Sequence, residues 1–267
     1  MLIRIILTLC LSLSSATLWA KPPAWHKIAP PSQKVTSVST LARQQHDLFL
    51  YFLRESLTGQ GKTDFYNVSN RVANNIQWKN NKNLNIYNEA FKRSFEFMKS
   101  MKLDNMPPTI MLIPYLESQW DGKKGTPDSD YGYWQFVPEV IEEIRQLNYM
   151  PSALRSSSIN QIRESAHLST KAAKAHLHRY YFYFAKVAKY PEHEAWLFTL
   201  VAYNWGAGNI KRLMVEIEKE GLKPNFSNFY HRLYTMQRKN PKDISLRAAV
   251  EYVPNLWNIA KLLEQEN

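Results

Sequence analysis

Apolar residues recur along this chain at three- and four-residue intervals, and no stretch alternates in the way a sheet requires, so the pattern predicts an all-α protein. From residue 41 to 101 the spacing is helical, with Leu48, Tyr51 and Phe52 on one face and Ala90, Phe91, Phe95 and Met98 on another. Gly59–Lys62 and Trp78–Lys82 read as polar breaks between these helices. Pro107 and Pro108 can open a further helix through Ile110, Met111 and Ile113 to Glu117, because a first-turn proline loses no hydrogen bond. Pro114 is expected to bend it. A polar loop (Asp121–Tyr131) and an aromatic turn (Gly132–Phe136) follow, and Pro138 starts a helix with Val140, Ile144 and Leu147 on one side. Ser165–Ala188 is predicted as a long amphipathic helix using Ala172, Ala173, Leu177, Tyr180 and Phe184. Glu194–Tyr203 is apolar enough to be buried on most sides, and Asn204, Gly206 and Gly208 break it. Asn209 is expected to cap the next helix, which ends near Gly221; Leu246–Leu263 forms a last helix, bent or split at Pro254.

The start of the chain changes this picture. Arg4, the apolar run Ile5–Leu13 and the small residue Ala20 have the form of a secretory signal over residues 1–20, and the run is short for a membrane span. An uncleaved anchor is the alternative. Leu9 before Cys10 lacks the small side chain of a lipoprotein cleavage site, so no lipid is expected. Cys10 is the single cysteine, and the mature chain therefore forms no disulfide and no thiolate metal site. Lys21–Thr40, rich in proline, serine and lysine, reads as an extended leader. The formal charge is +11, which inside a cell would suggest nucleic acid. For an exported protein, expected in the periplasm by this signal, the charge instead fits electrostatic association with cell wall or a membrane surface, and no nucleic-acid partner is expected.

Glu117 is the residue with candidate chemistry. It ends an apolar run, Ile110–Leu116, where hydrophobic helix meets polar loop. Burial beside aromatics favours the protonated form of a carboxyl, which a general acid needs. A lone glutamate at a helix end is ordinarily a cap or a surface charge. Its neighbours change that reading. Glu117-Ser118 is followed by Gly132-Tyr133-Trp134-Gln135-Phe136 and then by Ala202-Tyr203-Asn204-Trp205-Gly206-Ala207-Gly208. These blocks resemble the motifs of the lytic transglycosylase catalytic domain, a lysozyme-like fold, and are most similar to those of the membrane-bound lytic transglycosylase D group. The resemblance covers Pro107 to Leu263. It implies a catalytic domain over residues 104–267, preceded over 21–103 by the leader and an N-terminal helical extension.

The resemblance further implies cleavage of peptidoglycan glycan strands between N-acetylmuramic acid and N-acetylglucosamine, with Glu117 as acid and then base. The muramic acid's own 6-hydroxyl closes a 1,6-anhydro ring, so neither a second carboxylate nor a metal or cofactor is needed. Thr126, Trp134, Gln135, Tyr203 and Asn204 are the matching substrate-binding candidates. Two roles are open to Trp134, stacking on a sugar or packing in the core, and two to Asn204, helix terminator or substrate contact. Gln135 offers an amide donor and acceptor; the Tyr203 hydroxyl is positioned to orient Glu117 or the substrate. Several residues depart from the family pattern. Thr126 replaces a serine, Gly122 a proline, and Asp130-Tyr131 two small residues, which is expected to alter the cleft wall. Ala248 and Ala249 stand before Tyr252-Val253 where the family often has Glu-Thr. Asp121, Asp128 or Asp130 as a second carboxylate would make a hydrolytic muramidase, and loss of contacts would leave a noncatalytic glycan-binding scaffold. His176 and His178, two apart on a helix, face different ways and form no metal pair.

Overall fold

Ser37 caps the first helix, its hydroxyl accepting from the Thr40 amide, so regular structure begins while the sequence is still polar. The computed structural model describes residues 37–101 and 106–267. The expected signal, the leader up to residue 36 and the boundary at 104 lie outside the described residues. Three helices come first: α1 (Val38–Ser56), α2 (Gly59–Ile76) and α3 (Ile86–Ser100). A 3-10 turn, Pro108–Met111, leads into the short α4 (Leu112–Ser118). After the loop come α5 (Pro138–Arg145), α6 (Ser152–Ser156), α7 (Ile159–Glu164) and α8 (Ala166–Phe182). A π-helical turn, Tyr183–Val187, precedes α9 (Glu192–Trp205), α10 (Ala207–Lys219), α11 (Phe226–Lys239) and α12 (Ile244–Glu266). No strand occurs among the described residues, in agreement with the all-α reading.

The apolar helix α9 is the axis of the bundle, with every residue from Glu194 to Ala202 buried. It packs against α1, α8, α10 and α12, while α2 lies on α11 and α12. One core therefore runs from Phe49 on α1 and Phe65 on α2 through Phe198 on α9 to Phe229 on α11, and the N-terminal helices share it. Each of these rings is wholly buried, a contribution of roughly 2 kcal/mol apiece. The approach of α2 to α11 depends on Gly61, where a Cβ would lie 2.1 Å from the Ser227 carbonyl oxygen.

Several expectations are corrected. Gly59–Lys62 is the first turn of α2 rather than a break. Tyr51 turns outward at 39% exposure, away from the face of Leu48 and Phe52. Pro114 is the third residue of α4, where an amide would have no helical partner, so it starts the helix instead of bending it. Asn209 lies inside α10, and its amide reaches back to the Trp205 carbonyl at the end of α9. The last helix passes unbroken through Pro254. A proline there cannot bond the carbonyl four residues back, and the Tyr230 hydroxyl donates to that carbonyl, on Val250, at 2.9 Å. Helix α11 has no counterpart in the sequence reading.

Candidate active site

The local sequence of α4 explains the position of Glu117. Leu112, Ile113 and Tyr115 are wholly buried, and the Tyr115 hydroxyl pairs with Ser94 of α3 at 2.8 Å. That leaves the helix able to present only its last turn, and Glu117 there is half-buried. The helix stops sharply: Gln119 and Trp120 both adopt left-handed backbone, with φ of 52° and 58°. Asp121 is consequently not on the next turn of the same face, and its Oδ1 accepts from the Lys123 amide in its own loop. Asp128 is exposed in that loop.

The carboxylate of Glu117 meets a phenol from the other end of the chain. The Tyr252 hydroxyl on α12 donates to Glu117 Oε1 at 2.8 Å, and the Tyr252 ring is buried at 4% exposure. One turn earlier on α12 lies the half-buried Ala248, on the same side of the helix as Tyr252, so the space beside the phenol is lined by a methyl group. Ala249 is buried in the core. Tyr252 was not singled out as a site residue from sequence; the signal was the Tyr252-Val253 match in the last family block.

Beside Glu117, the 122–136 loop is tied down from within. The neighbouring Ser118 hydroxyl donates to the Tyr133 carbonyl at 2.7 Å. Gln135, at φ 48°, turns its amide nitrogen onto the carbonyls of Lys124 and Gly132 at 2.9 and 2.8 Å. Both amide donors are used there, and Oε1 is the atom left for an outside partner. Gly132 has φ 81°, and a Cβ on it would meet the Arg163 carbonyl oxygen at 2.1 Å. The Arg163 side chain, 1% exposed, donates to the carbonyls of Ser129, Phe136 and Pro127 and to Asn160. Burial holds its pKa below the ordinary arginine value. Tyr131 lies under this guanidinium and donates to Glu164 at 2.8 Å, so it packs behind the loop and does not reshape the cleft wall as expected.

Trp134 is the clearest correction among the candidates. Its ring has no exposure and its indole N–H donates to Thr170 at 3.1 Å, so it offers no face to a sugar. The Tyr203 hydroxyl donates to the Trp134 carbonyl at 2.5 Å and so braces the loop. His176 lies behind Tyr203 with ring centroids 6.0 Å apart; burial, with help from the Arg179 charge, pushes its pKa down to about 3 and keeps it neutral. Asn204 is half-buried in the last turn of α9, which ends at Trp205 before Gly206, φ 81°. Thr126 is exposed on the loop.

Residues 94–226 match the family model described as Transglycosylase SLT domain. The matched segment holds Glu117, the 122–136 loop and Tyr203, and it stops short of Tyr252. An SLT domain implies a transglycosylase acting on peptidoglycan. No curated protein matches the chain.

Proposed function

We propose that this protein is a lytic transglycosylase of the membrane-bound D type, exported to the cell wall, that cleaves the β-1,4 bond between N-acetylmuramic acid and N-acetylglucosamine without water. The observation that carries the reading is the hydrogen bond from Tyr252 to Glu117 Oε1. The phenol fixes the carboxyl group in place by donating to Oε1, and Glu117 acts as the general acid. Glu117 gives its proton to the glycosidic oxygen as the bond from the muramic acid C1 to it breaks. The 6-hydroxyl oxygen of the same sugar then bonds to C1, and its proton returns to Glu117. The phenol stabilises the carboxylate between the two transfers by a charge-assisted hydrogen bond. Thr126, Asn204 and the Gln135 Oε1 are the substrate contacts in this reading, and Tyr203 holds the loop that carries Thr126 and Gln135.

Mass spectrometry of cell-wall glycan digested by the purified protein tests the reaction. Anhydro-muramic ends from the wild type and none from Glu117→Gln are expected. Reducing ends would replace this reading with a hydrolytic muramidase, and cleavage by Glu117→Gln would remove the proposed acid.

A further inference from the structure

A groove of about 180 Å³ opens beside the end of α4, lined by Trp78, Asn80, Ile86, Glu89, Arg93 and Gln119. All of these except Gln119 precede the SLT match, so the groove is built largely by the N-terminal helices. Gln119 is two residues from Glu117, which puts its Cα within about 7 Å of that of the catalytic residue.

Three features of the groove point to its ligand. The Trp78 indole is 64% exposed, although it is held on an ordered loop: the Trp78 carbonyl accepts from Ile86, and Asn80 Oδ1 accepts from the amides of Lys82 and Leu84. An aromatic ring held in place beside the groove offers a flat apolar face to the aliphatic part of a ligand. Glu89 and Arg93 stand four apart on α3, the spacing at which such residues ordinarily pair. Here they do not. Arg93 donates to the Gln119 carbonyl at 2.7 Å, and Glu89 has no ion-pair partner among the described residues. Two opposite charges left unpaired with each other complement a peptide that carries both a carboxylate and an amine.

We propose that this groove receives the peptide that branches from the muramic acid. Arg93 takes a carboxylate, Glu89 takes a protonated amine, and Trp78 covers the aliphatic carbons between them. The inference rests on peptidoglycan being the substrate. NMR titration of the full chain with the free tripeptide L-alanyl-γ-D-glutamyl-meso-diaminopimelate tests it without turnover. Saturable shifts at the Trp78 indole N–H are expected. Glu89→Gln and Trp78→Ala should weaken binding at least about tenfold with melting temperatures unchanged, the loss expected for one charge-assisted contact. Acetylating the diaminopimelate amine, with the alanine amine already acetylated, should weaken wild-type binding but not that of Glu89→Gln. The proposal is overturned if the tripeptide does not bind, if Glu89→Gln binds it as the wild type does, or if Trp78→Ala loses affinity for peptide-free glycan instead. A protein that binds the tripeptide but cleaves no glycan would sink the catalytic reading and leave this one standing.

Discussion

The Glu117–Tyr252 contact and the loop beside it are held in opposite ways. The contact joins residues 135 apart in sequence by a phenol donating to a half-buried carboxylate. The 122–136 loop is fixed by a buried guanidinium on three carbonyls, by the Ser118 and Tyr203 hydroxyls and by a glycine that a Cβ would displace. A group that must change charge during reaction needs a partner that tolerates both states, and a neutral phenol does. The frame around it carries no such demand, so it can be over-determined. Burying Arg163 costs several kcal/mol of desolvation, which its carbonyl partners offset.

Substitutions separate the two regions. Glu117→Gln should lower the cleavage rate by at least about 100-fold while leaving the denaturation midpoint in place, because general acid-base transfer is lost and the fold is not. Arg163→Met should do the reverse. Stranding its carbonyls is expected to destabilise the protein by about 3 kcal/mol in urea titration. A normal midpoint for Arg163→Met would show that the loop does not depend on this anchor. Tyr252→Phe removes one charge-assisted bond and should reduce kcat roughly 10- to 100-fold, with a change in melting temperature of a few degrees at most. Unaltered kcat in that variant would mean that the phenol does not assist Glu117.

The smallest effect concerns acid stability. His176 is neutral in the fold with a pKa of about 3, below the 6.5 of an unfolded histidine. The unfolded chain therefore binds more protons between these values, and stability falls as pH drops below about 6.5. At pH 5 the loss is about 2 kcal/mol, and His176→Leu should flatten the melting temperature's dependence on pH over that window. An unchanged slope would show that other groups control it.

Helices α1, α3, α5, α8, α9 and α12 were legible because their apolar spacing, caps and prolines act within a turn or two. Helix α11 was missed although Phe226, Phe229, Tyr230 and Leu233 recur at helical spacing and are buried; the basic and amide side chains around them (His231, Arg232, Gln237, Arg238) masked the stripe. Glu117 was legible from its place at the end of an apolar run and from the spacing to the Trp134-Gln135 block. The roles within that block were not. Trp134 offered two readings that only burial separates, and the Gln135 amide is committed to its own loop by a backbone turn at φ 48°.

Local periodicity and ordered motifs thus settled from the amino-acid sequence that the chain is helical and where its candidate acid lies, since both are encoded by residues near one another. Which hydroxyl reaches that acid, and which aromatic ring stays in the core, depended on how α12 and the loop pack against α4. Such pairings span most of the chain, and their energy exists only once the intervening helices have closed around the core.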